Sequence, residues 1–556
     1  MNRGLYFGCM LHTLLPLVLL LLLSLCAPAP FCRLLRSVER PFCLLARHRL
    51  ACIAVSGMTS LIANGLLALL GQMPQPLVHD EFSYLLQADT FAHGRLANPP
   101  HPLWVHFETM HVLQQPSYAS KYPPAQGLML ALGQLSCGQP IAGVWLSGAL
   151  ASAAICWMLL GYVRPRWAVM GGLLAALHPL MIYWNQNYWG GAVAACGGAL
   201  VLGAAARIRA RPRSADAVLL GLGLAILANS RPFEGLVLAL IVLVPVVVGL
   251  LGPRSPGLRM VIQRLVLPSS VVLLPVLVWM AYYNWRVTGN ALRMPLLAYA
   301  ETHDVAPKFL WQSAKSAPVY QHKELRDLHA GWELAYYEQQ KTTTGLVAAT
   351  AEKLTMLLQR YFPLVIFQIP WLVIPWLAGN ERMRRHLLQT SCFVLALLGS
   401  EVWLLAHYTA PITGLLVLSM IDGLRLLRLW KRHSRAAGRL LVRTSLVMSA
   451  ALLLGYCVQL SRAQREGWNI ERARIEAQFN HEPGLHLILV HYGRDHVTHV
   501  EWVFNKADID HAKIVWARDM GAEKNRDLLN YFRGRTVWTI EADASQPILL
   551  PHSQSP

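Results

Sequence analysis

FEGLVLALIVLVPVVVGLL, residues 233–251, is a nineteen-residue run with a single charge, Glu234, at its second position. It is too long for a buried strand and apolar on every face. About 20 such residues in a helix cross the ~30 Å hydrocarbon core of a bilayer. Immediately upstream lies Asn229-Ser230-Arg231-Pro232, preceded by a second apolar run, 216–230. Downstream come Arg254, Arg259 and Arg264, then a third run, 265–285. The pattern repeats in both directions. Runs near 10–28, 50–70, 141–161, 167–184, 188–206, 356–378, 387–407, 411–427 and 440–460 complete a set of twelve. The chain therefore reads as an α-helical polytopic membrane protein with about eleven or twelve transmembrane helices.

Composition and charge agree with this. Of 556 residues, 54% are hydrophobic and 14% charged, against about a quarter charged in soluble domains. A net charge of +19 would point to nucleic acid in a soluble chain. Here the basic residues fall in short clusters between apolar runs, as in cytoplasmic loops. The clusters are Arg33 to Arg49, Arg164 and Arg166, Arg207 to Arg213, Arg254 to Arg264, Arg382 to Arg385, and Arg425 to Arg439. Threading the spans puts all of them on one side. Segments 72–140, 183–190, 286–355, 408–410 and 461–556 then lie on the extracytoplasmic side. The run 10–28 resembles a signal peptide but is read as an extra N-terminal helix, or as the result of a start codon placed too early. Cleavage near Ala27-Pro28-Ala29 would leave five arginines outside, against the charge rule.

Three regions follow: a hydrophobic helix with a basic segment over 1–49, a transmembrane domain over 50–460 with outer loops 72–140 and 286–355, and an outer domain over 461–556. In the last, Leu487–Val490, Ile514–Trp516 and Val537–Ile540 read as strands, and Gly521–Phe532 has helical spacing, so it is a small α/β unit. Its histidines (His486, His491, His496, His499, His511) match no zinc spacing and read as solvated. Trp502, Glu501, Asp508, Asp510, Trp516 and Asp519 are candidates to meet a glycan acceptor, and a plain structural domain is the equal alternative. The ten cysteines show no CxxC and read as small hydrophobes.

The first outer loop opens Val78-His79-Asp80-Glu81-Phe82-Ser83-Tyr84. Phe82, Leu85, Leu86 and Phe91 have the spacing of a short interfacial helix ended by Gly94. Asp80 reads either as its N-cap, with Glu81 favouring the helix dipole, or as a general base just outside a span. Later come His101, His106, Glu108 and His111, without metal-ligand spacing, then Lys121-Tyr122-Pro123-Pro124-Ala125. Lys121 either snorkels at the headgroups or faces an anionic ligand. Arg231 suits bidentate phosphate contact, or else pairs with Glu234. His407-Tyr408 lies at another outer span end, where an aromatic belt is the competing reading. The turn Tyr183–Trp189 invites the same belt reading. Glu401, within an apolar run, reads as a packing or proton-linked group.

Asp80-Glu81 after the first core span, a helix ending at Gly94, and a later Lys-Tyr-Pro-Pro resemble the GT-C glycosyltransferases. The likeness is to the dolichyl-phosphate-mannose protein mannosyltransferase superfamily, whose bacterial relatives include the aminoarabinose transferase of lipid A. Ala125 stands where that family has Leu after the prolines. The resemblance covers about 50–460 and implies a GT-C-like cell-envelope enzyme in an inner (plasma) membrane. It would move a monosaccharide from a polyprenyl-phosphate donor to a glycan, lipid or protein acceptor, with inversion and no nucleic-acid partner. By match to the motif, Asp80 is the base and Glu81 its support. Lys121, Tyr122, Arg231, Glu108, His407 and Tyr408 are the substrate-binding candidates. No metal ligand is assigned, and a divalent cation is the one cofactor left open. The competing class, a transporter or flippase of lipid-linked sugars, would show inverted repeats; the sequence shows none.

Overall fold

A computed structural model describes residues 41–552 apart from 72, 253–256, 432–436, 464–466 and 545–546. The run 10–28 lies outside the described residues.

The chain begins with α1, Arg49–Leu70, which leads into α2, His79–Ala92, in the first loop. Two short antiparallel strands follow, β1 Val112–Leu113 and β2 Ala119–Ser120. Helix α3, Pro124–Cys137, starts on the second proline of the Pro-Pro step, where a missing amide hydrogen costs nothing. The bundle continues with α4 Pro140–Leu159, α5 Pro165–Ala176, α6 Pro179–Asn185, α7 Gly191–Ala210, α8 Ser214–Ala228, α9 Pro232–Leu251 and α10 Leu267–Thr288. After α11, Pro295–Thr302, come α12 Thr343–Tyr361, α13 Glu381–Leu398, α14 Thr413–Leu427 and α15 Ala437–Ala463. Small residues let the helices close on one another. A Cβ on Gly143 would sit 1.8 Å from the Met129 carbonyl oxygen, and one on Gly198 1.9 Å from that of Pro411.

Seven described helices are long and apolar enough to cross a membrane, or eight if the pair α5–α6, bent by 51°, is one span. This is fewer than the eleven apolar runs that fall among the described residues, for local reasons. Run 216–230 is helical for only 15 residues. Run 356–378 breaks into Val365–Gln368, a 3₁₀ turn Ile369–Val373 and Ile374–Gly379, because Pro363, Pro370 and Pro375 each withhold an amide donor. Run 387–407 leaves the helix at Leu398, and Glu401 pairs as a β-bridge with Phe309 of the second loop. Glu401 is therefore not within a helix. The first loop likewise carries more helix than its polarity suggests, since α3 lies inside 72–140.

The arginine clusters converge. The Arg382 guanidinium donates to the Tyr162 carbonyl, Arg207 to that of Trp157 at 2.6 Å, and Arg428 stacks 5.7 Å from the Trp167 ring. The turns at the other helix ends meet the first loop: the Ala125 amide donates to the Asn229 carbonyl at 2.9 Å.

Residues beyond α15 form an α/β unit: α16 Trp468–His481, β3 His486–His491, β4 Ile514–Arg518, α17 Ala522–Tyr531, β5 Thr536–Glu541 and β6 Leu549–Pro551. The sheet order is β4-β3-β5-β6, with β3 parallel to β4 and β5, and β6 antiparallel. Leu487–Val490 are buried on both faces, as a central parallel strand requires. Ile488 and Val490 pack with Ile475 and Phe479 of α16. Leu487 and Leu489 share a core with Leu528 and Phe532, and also with Leu86, Phe107 and Val112 of the first loop. One face of the sheet is thereby seated on the loop that carries Asp80. Trp502, Trp516 and Glu501 are buried and so not free to meet a glycan. Among the described residues the cysteines are unpaired.

Candidate active site

Helix α2 begins at His79, with Val78 as its N-cap. Asp80 is thus one residue inside the helix and is not the cap. Glu81 closes the helix start instead: it accepts from the amides of Leu77 (2.7 Å) and Val78 (3.1 Å), and its other oxygen accepts from Tyr188 (2.8 Å). This ties α2 to the turn after α6. Burial pushes the Glu81 carboxyl up to about 7 despite those three amides. With both oxygens engaged, Glu81 is an orienting group.

The Asp80 side chain keeps 33% of its surface open. Its Oδ1 accepts from the Tyr122 hydroxyl. Oδ2 lies 3.1 Å from His79 Nδ1 and 3.8 Å from His111 Nε2. Burial opposes ionisation here, but the charges at His111, at the adjacent His79 and on the Lys121 ammonium outweigh it and hold the carboxyl well below its usual range. Burial in turn pushes His111 well down. At neutral pH Asp80 is therefore a carboxylate.

Lys121 is 4% exposed and does not snorkel. Its ammonium lies 4.6 Å from the Tyr299 ring centroid and 5.4 Å from that of Tyr122. Burial brings it down to about 8. Arg231 packs its guanidinium 4.3 Å from the Tyr408 ring centroid and stands 3.7 Å from Glu234, so the expected pairing exists alongside a stacking contact. Tyr408 packs under this cation, and His407 is buried 4.6 Å from the Trp189 ring. Trp184 is fully buried in the bundle, away from any aromatic belt. Tyr84 stacks on Tyr122 at 4.4 Å and feels the charges of both Arg231 and Asp80. Asp80, Lys121, Tyr122, Arg231, His407 and Tyr408 are thus neighbours in one region.

Glu108 is not among them. It is buried beside His303 Nε2 (3.3 Å) and His322 Nε2 (3.7 Å). Tyr299 links the two clusters: its hydroxyl accepts from the His111 amide at 3.0 Å and meets His329 Nε2 at 3.0 Å, and His303 stacks on its ring.

Several groups here have no local sequence signal. Lys308 pairs with buried Asp304 at 2.6 Å, and its charge acts on Lys121. His499, from the C-terminal unit, places Nδ1 3.3 Å from His79 Nε2. It is therefore not a solvated surface histidine. Nor are His486, which is buried, or His496, which pairs with Asp543 at 2.7 Å.

Two trios, His79–Asp80–His111 and Asp304–His329–Glu333, bring ligand atoms within 4.8 Å of one another and have the mixed N/O donors a divalent transition ion takes. In the second trio the Lys308 ammonium already offsets the Asp304 charge.

No family model matches the chain, and no curated protein matches its sequence. Among solved structures, ArnT from Cupriavidus metallidurans bound to undecaprenyl phosphate is similar with TM-score 0.50 and 14% identity over 93% of each chain. ArnT from the same organism in the apo state gives 0.48 and 14%, over 87% of this chain and 92% of that one. The oligosaccharyltransferase AglB from Archaeoglobus fulgidus, in complex with an inhibitory peptide and a dolichol-phosphate, gives 0.36 and 11% over 79% and 62%. The likeness to ArnT at these identities is one of fold, and the fold is the GT-C membrane fold with a small C-terminal α/β region.

Proposed function

We propose that this GT-C-fold membrane protein is a glycosyltransferase that moves a monosaccharide from a polyprenyl-phosphate donor to an extracytoplasmic acceptor, with inversion at the anomeric carbon. The observation that carries the reading is Asp80: a carboxylate held ionised, one third open, and oriented by Tyr122 and His79. It has the properties of a general base, worth about 10²–10⁴-fold. In the step proposed, the acceptor hydroxyl oxygen attacks the anomeric carbon and passes its proton to Asp80. The bond from that carbon to the phosphate oxygen breaks, and polyprenyl phosphate leaves with the electron pair. Such a leaving group needs charge neutralisation more than protonation, and fixed cations in a water-poor site supply it. Lys121 and Arg231 are the cations on hand. Tyr122 and Tyr408, both partly exposed, offer ring faces to a sugar. That ArnT was solved with undecaprenyl phosphate agrees with a lipid-phosphate donor.

The arginine clusters support the orientation. They gather at the helix ends away from Asp80, and basic loops favour the cytoplasm, so the site faces outward across an inner (plasma) membrane. The acceptor is a glycan, lipid or protein. The test incubates detergent-purified protein with radiolabelled polyprenyl-phosphate monosaccharides and a lipid or glycan acceptor extract. Transfer or release from one donor, lost in a folded Asp80→Asn variant, is expected. Equal turnover by both proteins would remove Asp80 as the base.

A further inference from the structure

At the end of the bundle remote from Asp80, α7, α9 and α13 enclose a cavity of about 190 Å³. One end is polar, lined by Arg209, Arg382, Arg385 and His386; the other is apolar, lined by Val242 and Val246 among others. The charge there is unbalanced. Arg207, Arg209, Arg382, Arg385 and Arg425 stand against Asp216, Glu381 and Asp422, and each of these acids already has an arginine partner. Glu381, the partner of Arg385, is itself 79% exposed. His386 is 5% exposed, yet its Nδ1 is buried without a hydrogen-bond partner, a costly arrangement unless something else satisfies it. Val242 and Val246 are buried on the bundle face of α9, while Leu240, Val244 and Val247 on its other face are about half exposed, as residues facing lipid are.

We propose that this cavity seats an anionic glycerophospholipid from the adjoining leaflet. Its phosphate would lie among Arg209, Arg382, Arg385 and the His386 ring, with the start of one acyl chain against Val242 and Val246. Both ends of the cavity are complementary to such a lipid. A soluble anion would leave the apolar half unfilled, and a zwitterionic lipid would leave the arginines unneutralised. The site is independent of glycosyl transfer and would anchor the protein in anionic membrane at the face away from the chemistry.

Native mass spectrometry of the detergent-purified chain tests it. The titrants are phosphatidylglycerol, phosphatidylcholine with the same acyl chains, and inorganic phosphate. Expected is one phosphatidylglycerol retained under activation that strips phosphatidylcholine, with no adduct from phosphate alone. Arg209→Gln with Arg385→Gln is expected to weaken retention about thirty-fold, from about 1 kcal/mol per basic residue facing anionic lipid. Val246→Trp, which fills the apolar end and leaves the charges in place, is expected to abolish it. A melting curve identifies any variant that fails to fold, and the other then decides. Equal retention of the two lipids, retention unchanged in either folded variant, or an equally strong phosphate adduct would overturn the proposal.

Discussion

His499 Nδ1 lies 3.3 Å from His79 Nε2, while His79 Nδ1 lies 3.1 Å from Asp80 Oδ2. A residue 420 positions downstream is therefore hydrogen-bonded to the imidazole that orients the candidate base. Such a contact sets which nitrogen of His79 carries its proton, and so whether a donor faces the carboxylate. His499→Ala is expected to lower kcat about tenfold with little change in donor KM, since orientation and not binding is lost. His499→Asn, which keeps a hydrogen-bonding side chain, should recover part of the rate. Equal kcat for wild type and His499→Ala would show that the pairing is only structural.

The buried ammonium of Lys121 sets the alkaline side of the pH profile. Burial lowers it to about 8, so as pH rises through that value the site loses the charge proposed to face the leaving phosphate. Asp80 lies well below the usual carboxylate range, so its protonation does not limit the rate near neutrality. Expected is a kcat/KM flat between pH 5 and 7 that falls above about 8. Lys121→Met should lower activity ~10²-fold, in line with loss of one group stabilising developing negative charge, and remove the alkaline limb. A limb that survives in Lys121→Met would assign it to another group.

Long apolar runs and one-sided arginine clusters are local properties, legible in the amino-acid sequence itself, and so is the Asp80-Glu81 to Lys121-Tyr122 pattern. Span integrity is less legible. The apolar content of 356–378 is high enough for a span, and the breaks come from three prolines that composition does not weigh. His111, Lys308 and His499 are hidden as site residues for a different reason. Each reaches the site through a contact between segments far apart in sequence, which leaves no periodicity to detect. Burial also reverses two readings. Lys121 has the reach to snorkel and is enclosed, and Trp502 and Trp516 have the chemistry to meet a glycan and are core.

Glu81 gives stability a pH dependence of definite sign. Its folded-state value, about 7, lies above the ordinary 4.5. The folded chain holds this proton more tightly than the unfolded one, so the contribution is complete below pH 4.5 and is lost as pH rises through 7. Thermal unfolding in detergent should therefore show a midpoint that declines between pH 5 and 8. Glu81→Gln cannot titrate and cannot accept from all three amides. It is expected to be less stable than wild type at pH 5, with the gap narrowing toward pH 8. Parallel curves for the two proteins would show that the slope belongs elsewhere.

The C-terminal unit is held by charge as well as by apolar packing. Arg518, on β4, is buried with its guanidinium 2.7 Å from Glu501 and 2.9 Å from Glu324 of the second loop, and it donates to the Glu108 carbonyl at 3.2 Å. One cation thus joins the sheet to both loops around the site. Replacing it with Met leaves two buried carboxylates facing each other without a counter-ion, a change that typically costs about 3–5 kcal/mol. That exceeds what exposed pairs contribute, ~0–1 kcal/mol, so the loss should appear as opening at this interface. Arg518→Met is expected to make the C-terminal unit more susceptible to limited proteolysis and to reduce turnover, because undocking also withdraws His499 from His79. Arg518→Met with Glu324→Gln and Glu501→Gln, which removes the stranded charges, should restore protease resistance at least in part. Identical proteolysis of wild type and Arg518→Met would place the anchoring of the unit in its apolar contacts with Leu86, Phe107 and Val112 alone.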